Sequence, residues 1–189
     1  MIRCYITGRH ALGGGLPALL ANIKRRVLDP VDDRVDWIQI REKDLSTGEL
    51  LELSRQVVAM AGQTRILINS RLDVALAAGA HGVHLPSNSP PPSSYKRAAA
   101  GLMVGVSCHN RAELLRAEDE GADYALLGPV FPPLSKEAGA MGLDQFGELA
   151  RAVRIPVLAL GGITPGSIAA CERAGAAGIA GITLFQGHR

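Results

Sequence analysis

Gly79-Ala80-His81-Gly82-Val83 returns in altered form as Gly121-Ala122-Asp123-Tyr124-Ala125 and again as Gly175-Ala176-Ala177-Gly178-Ile179. Each copy ends an amphipathic stretch on Gly, the residue that closes helices in the left-handed conformation, and then enters an apolar run. A helix-to-strand junction used three times points to repeated β/α units. Outward from these junctions, strands are expected near Ile2–Thr7, Asp36–Ile40, Arg65–Ile68, Gly82–Leu85, Leu102–Val106, Tyr124–Leu127, Val157–Leu160 and Ile179–Thr183. Amphipathic segments lie between them, clearest at Thr47–Ala61, Arg111–Glu120, Leu143–Val153 and Pro165–Ala174. Eight alternations imply parallel strands, either in an open doubly wound sheet or in a closed barrel. No Gly-x-Gly-x-x-Gly follows the first strand, so the dinucleotide-binding form of the open sheet has no support. The fold expected is α/β, a (β/α)8 TIM barrel forming one domain over residues 1–189. Only Leu184–Arg189 follow the last strand, too few for an eighth helix, which is therefore expected to be missing or truncated. An apolar stripe beside that strand would then be covered by a partner chain, as in a homodimer, or left exposed.

Bulk properties exclude several classes. The chain has 189 residues, a formal net charge of +2, three Cys and 4% aromatic residues, which gives no case for nucleic acid or for an extracellular disulfide frame. No apolar run is long enough to span a membrane, and Met1-Ile2-Arg3-Cys4 leads straight into a strand instead of a signal peptide. A cytoplasmic location is expected. Hydrophobic content of 47% with 22 Gly suits a core of Val, Ile, Leu and Ala.

The second strand carries the strongest chemical signal. In Asp36-Trp37-Ile38-Gln39-Ile40-Arg41-Glu42-Lys43, side chains alternate between faces, so Gln39, Arg41 and Lys43 share one face while Ile38 and Ile40 share the other. An amide, a guanidinium and an ammonium on an inward face are costly unless an anion meets them, and phosphate or diphosphate fits a guanidinium fork backed by a lysine. The plainer reading, a solvated edge strand, is disfavoured by the isoleucines opposite.

In a barrel the chemistry comes from the C-terminal ends of the strands. Those ends carry Arg41 and Lys43, Asn69, His84, Ser107 and His109, Lys136, Gly161-Gly162 and Thr183. Gly161-Gly162-Ile163-Thr164-Pro165 follows the seventh strand and opens a helix; with Ile182 and Thr183 it occupies the usual phosphate position of barrels. His109 is the acid/base candidate, its ordinary pKa being near neutrality. Alternation puts Gly105, Ser107 and His109 on one face, so that Cys108 points to the helices if that face is the interior. Ser135 and Lys136 stand in a long loop, Gly128 to Gly142, suited to closing over a ligand. Cys4 and Cys171 read as small buried hydrophobes, and no Cys/His cluster has metal-binding spacing.

Taken together, these landmarks resemble the thiamine-phosphate synthase/TenI superfamily. The resemblance rests on Gln39-Ile40-Arg41-Glu42-Lys43-Asp44-Leu45-Ser46, Leu67-Ile68-Asn69-Ser70-Arg71-Leu72-Asp73, Gly82-Val83-His84-Leu85, Gly105-Val106-Ser107-Cys108-His109, Gly128-Pro129-Val130-Phe131-Pro132 and Gly161-Gly162-Ile163. In the synthases a pyrimidine diphosphate and a thiazole phosphate are joined, and pyrophosphate leaves with Mg²⁺. The resemblance implies that Gln39, Arg41, Lys43, Asn69 and Lys136 contact the pyrophosphate and pyrimidine. The synthase pattern has Asp where Ser70 stands and a second Asp near Pro86-Ser87-Asn88-Ser89, and a hydroxyl residue where Pro133 stands. Mg²⁺ prefers carboxylates to hydroxyls. In these respects the chain is similar to TenI-type thiazole tautomerases, which move a proton without metal, and His109 matches the proton-transfer residue proposed for them. The leading expectation is a thiazole tautomerase, an isomerase acting on a small thiazole phosphate without cofactor. The alternatives are a thiamine-phosphate synthase, a transferase for which Mg²⁺ is the expected cofactor, and a non-catalytic regulator that binds phosphate ligands.

Overall fold

The computed structural model describes residues 1–28, 34–132 and 139–187. Eight parallel strands close into a barrel in sequence order. They are β1 (Ile2–Ile6), β2 (Trp37–Ile40), β3 (Arg65–Asn69), β4 (Gly82–Leu85), β5 (Met103–Cys108), β6 (Tyr124–Leu127), β7 (Val157–Leu160) and β8 (Gly178–Gly181). β8 pairs with β1 through Ile2↔Gly178 and Cys4↔Ala180, which seals the barrel. The helices are α1 (Gly15–Leu28), α2 (Thr47–Met60), α3 (Leu72–Ala78), α4 (Pro92–Ala98), α5 (Arg111–Asp119), α6 (Gly142–Ala150) and α7 (Ile168–Arg173). Among the described residues no helix is long and apolar enough to cross a membrane.

Strand alternation divides the core in two. Outward-facing side chains, among them Ile38, Ile40, Ile66, Ile68, Val104, Val106 and Cys108, pack under the helices. Inward-facing Cys4, Ile6, Trp37, Leu67, Tyr124, Leu126, Leu158 and Ala180 fill the barrel itself. Trp37 and Tyr124 meet across the interior with ring centroids 4.8 Å apart. That contact requires Gly105, because a Cβ there would lie 2.0 Å from the Tyr124 ring.

Three expectations need correction. β8 ends at Gly181 and not at Thr183, because Ile182 turns into the helical region and Thr183–Phe185 form a 3₁₀ turn. Pro165–Ala174 is not one helix: Pro165–Ser167 make a 3₁₀ turn, held by the Thr164–Ser167 capping box, before α7 begins. The apolar stripe beside the last strand is also closed. Ile179 and Phe185 are each 1% exposed, and the 3₁₀ turn lies over this edge of the barrel. Arg26 of α1 donates through Nε to the Phe185 carbonyl at 2.8 Å, and the Phe185 ring lies 5.9 Å from that of Tyr5.

Candidate active site

The rim at the C-terminal strand ends is built from the exit of β2. Gln39 is the last inward residue of that strand and is 1% exposed, and its Nε2 is buried with no partner among the described residues. The Arg41 N–H donates to Thr7 Oγ1 at 2.9 Å, while the Thr7 N–H donates to the Gln39 carbonyl at 2.9 Å. Glu42 points away from the row. Its side chain is 1% exposed, and its carboxylate accepts from Arg9 Nη1 at 2.9 Å and from the Arg9 N–H at 3.2 Å. Arg9 reaches on to Asp44, which it holds well below the usual carboxylate range. The loop after β1 is thereby fastened to the exit of β2, and Arg41 and Lys43 are left on the rim.

Asn69 and Ser70 leave β3 beside this row. Arg41, Lys43, Asn69, Ser70 and Arg71 line a cleft of about 320 Å³. Ser70 is the one described non-glycine residue with positive φ, 63°, a conformation costly for Ser. Its N–H donates to the His84 carbonyl at 2.9 Å, and its Oγ accepts from Asn69 Nδ2 at 3.0 Å. Larger depressions, about 560 and 440 Å³, open at the opposite end around Arg65, Leu102 and Met103. The polar groups there are already partnered: Lys96 bonds Asp123 at 2.6 Å, and His81 Nδ1 takes the Ile66 N–H at 3.0 Å. The C-terminal cleft is the better site, since Arg41, Lys43 and Asn69 line it while the nearby carboxylates, Glu42 and Asp73, are taken up by Arg9 and Arg71.

Deeper in the barrel, His84 bonds Tyr124 Oη through Nδ1 at 2.9 Å and Ser107 Oγ through Nε2 at 2.8 Å. Burial, with a smaller push from the Arg41 guanidinium, brings the His84 pKa down to about 3, so the ring is neutral. Burial also raises the Tyr124 phenol well above its ordinary value. Ser107 faces the interior as expected, and Cys108 faces the helices with its thiol pushed by burial to about 12.

His109 does not continue the inward row. β5 ends at Cys108, and the His109 side chain, 56% exposed, turns to the first residues of α5, where Nδ1 bonds Glu113 Oε2 at 2.9 Å. The cause is the N-terminus of α5: Glu113 gathers the His109 N–H and Asn110 Nδ2, while Asn110 caps the helix. Partial burial pushes the Glu113 carboxyl up, but the His109 hydrogen bonds outweigh it and keep it below its ordinary value.

Gly161 and Gly162 both have positive φ, 97° and 61°, and both are crowded by the segment leaving β6. A Cβ on Gly161 would lie 2.6 Å from Pro129, and one on Gly162 would lie 2.7 Å from Phe131. Ile182 and Thr183 follow the adjacent strand β8, so the glycine pair and these two residues leave neighbouring strands at one end of the barrel. Ser135 and Lys136 lie outside the described residues.

Sequence reasoning passed over Thr7, Arg9, Glu42 and Tyr124. Tyr124 alone left a signal, since it opens an inward-alternating strand and pairs in register with Gly105. The described residues of the rim do not make up a set that fits a Mg²⁺ ion. Ser70 offers a hydroxyl, and Asp73 is engaged by Arg71 at 2.8 and 2.5 Å, which lowers its pKa to about 2. Among the described residues no three His, Cys, Asp or Glu side chains converge.

Fold and rim together define a (β/α)8 barrel whose C-terminal mouth is lined by cations and amides above a neutral polar interior. A family model described as thiamine monophosphate synthase matches residues 6–185. The chain belongs to that family. It is 46% identical over 154 residues to a putative thiamine-phosphate synthase 2 of Aquifex aeolicus, covering 80% of this chain and 83% of the relative. A putative thiamine-phosphate synthase of Geobacter sulfurreducens is 41% identical, covering 95% and 84%. A solved thiamine phosphate pyrophosphorylase from Pyrococcus furiosus superposes with a TM-score of 0.84 at 29% identity, covering 100% of this chain and 88% of that one.

Proposed function

We propose that this protein is a transferase of the thiamine-phosphate synthase type, joining a pyrimidine carried as its diphosphate to a thiazole phosphate. The bond from the pyrimidine methylene to the diphosphate oxygen breaks, a bond to the thiazole nitrogen forms, and pyrophosphate leaves. The observation that carries this reading is the row Gln39, Arg41, Lys43 and Asn69, with the buried Gln39 Nε2 lacking an acceptor among the described residues. A tautomerase acting on a single phosphate has less use for the whole row. The names of the relatives favour the same choice over the isomerase, which the departures at Ser70 and Ser87–Ser89 had placed first.

The residues act by binding and by offsetting charge. Arg41 grips the diphosphate in a fork and Lys43 adds a second cation, so the charge developing on the leaving group is met as it forms. The glycine pair with Ile182 and Thr183 is assigned to the thiazole phosphate. Lys136 is assigned to the diphosphate, as the resemblance implies, and with Ser135 to the loop expected to close over the ligand.

The second reading, metal-independent thiazole tautomerisation, is favoured by the His109–Glu113 pair and by the hydroxyl at Ser70, with no metal-binding set among the described residues. There His109 would pass the proton, with its orientation held by Glu113. A paired assay separates the readings: pyrimidine diphosphate plus thiazole phosphate in one vessel, unaromatised carboxythiazole phosphate in the other, each with and without Mg²⁺. Thiamine phosphate in the first vessel is the expected result. Aromatisation alone, abolished by His109→Ala, would overturn it in favour of the isomerase, and inactivity in both would indicate a binding protein.

A further inference from the structure

Tyr124, His84 and Ser107 form a line of hydrogen bonds from the sealed barrel interior to the edge of the mouth. Each bond has two polarities, and donor accounting selects between them. The Tyr124 hydroxyl is fully buried, and among the described residues its one hydrogen-bond partner is His84 Nδ1, at 2.9 Å. Were Nδ1 to carry the proton, the phenolic hydrogen would face apolar packing with no acceptor. A buried donor left unmade in this way is costly. With Tyr124 donating to Nδ1, the neutral imidazole carries its proton on Nε2 and donates it to Ser107 Oγ at 2.8 Å. The Ser107 hydrogen is then left over, and Ser107 is the one member of the line that is part exposed.

We infer that Tyr124 and His84 are positioning residues that fix the Ser107 hydroxyl as a hydrogen-bond donor into the mouth, so that the ligand must present an acceptor atom there. The inference rests on the proposed function only in identifying the ligands. Neighbouring geometry places this donor beside the cleft: His84 pairs in register with Asn69 on one side and Gly105 on the other, and Gly105 is bare because the Tyr124 ring occupies its Cβ position. An unprotonated aromatic nitrogen or an anionic oxygen meets the requirement; an amino group at that point does not.

The test begins with the unaltered protein. Nitrogen-15 NMR of the His84 imidazole, assigned through bonds from its own backbone, should show the proton on Nε2 and no charge at neutral pH. A proton on Nδ1 overturns the relay whatever the protein catalyses. Titration calorimetry with the pyrimidine diphosphate and with the thiazole phosphate then reads the donor. Ser107→Ala should weaken one of the two by about 3- to 10-fold, the loss of one hydrogen bond. Tyr124→Phe should weaken the same ligand, and the double variant should be no weaker than Ser107→Ala alone. A purely structural Tyr124 would give additive losses and refute the positioning role. Unchanged affinity for both ligands in Ser107→Ala refutes the donor. If the unaltered protein binds neither ligand, the proposed function fails, and the imidazole spectrum still decides the relay.

Discussion

His84 carries the cost of keeping a titratable ring inside a barrel. Burial first, then the Arg41 guanidinium, bring its pKa down to about 3, whereas an unfolded histidine titrates near ~6.5. Below about pH 6.5 the unfolded chain therefore takes a proton that the native ring refuses. The stabilisation is whole above that value and is lost as pH falls toward 3; at pH 5 the loss is about 2 kcal/mol. Carboxylates held low in the native state, such as Asp44, Asp73 and Glu113, lose their contribution at lower pH, as their unfolded values lie near ~4. The window between pH 7 and 5 thus belongs largely to histidine. Urea midpoints measured across it should fall for the unaltered protein and fall less for His84→Gln; an unchanged midpoint from pH 7 to 5 would contradict a neutral, buried ring. At this scale the sequence was partly legible. His84 could be placed inside by alternation, but its partners come from β5 and β6, 23 and 40 residues away, and no local spacing announces them.

At the scale of elements, what could be read in advance was whatever has a period. The extents of β4, β6 and β7 follow from short apolar runs between turn residues, and the Gln39, Arg41 and Lys43 row follows from alternation. What could not be read depends on a distant segment or on the way a strand stops. Alternation fails at His109 because β5 ends and the helix cap captures the ring. Glu42 is invisible as a strut because its partner, Arg9, stands 33 residues earlier. That strut makes a specific prediction. Arg9→Ala leaves the Glu42 carboxylate buried with no cation, which should cost about 3 kcal/mol and, by loosening the exit of β2, weaken pyrophosphate binding several-fold. Ser46→Ala is the control in the same stretch. It removes the capping box of α2, worth about 1 kcal/mol, without touching the strut. If the Ser46 variant weakened pyrophosphate as much as the Arg9 variant, the strut would hold no special place.

A barrel is only as stable as its seam, and here the seam joins the first strand to the last. β8 meets β1 along Ile2–Tyr5. The Thr183–Phe185 turn puts the Phe185 ring against Tyr5 and its carbonyl against α1. Arg26, 3% exposed, donates to that carbonyl at 2.8 Å and to the Gly187 carbonyl at 3.1 Å, and Asn22 adds a longer bond to Phe185 at 3.4 Å. One aromatic side chain and one guanidinium thus hold this turn against the seam. This clamp escaped the sequence because a lone Phe and an Arg in the last turn of α1 have no pattern. If the two act as one clamp, their losses must be coupled. Phe185→Ala should destabilise by about 3–5 kcal/mol through the cavity it leaves. Arg26→Ala should cost about 1–2 kcal/mol by removing the shorter bonds to the Phe185 and Gly187 carbonyls, which leaves only the longer ones from Asn22 and Arg25. Once the ring is gone the turn has little to hold it, so the guanidinium has less left to lose, and the double variant should fall short of the sum by at least ~0.5 kcal/mol. Denaturant unfolding of the four proteins measures this. Additive losses would mean that ring and guanidinium stabilise separate parts of the barrel, and that the seam is closed by the strand pairing alone.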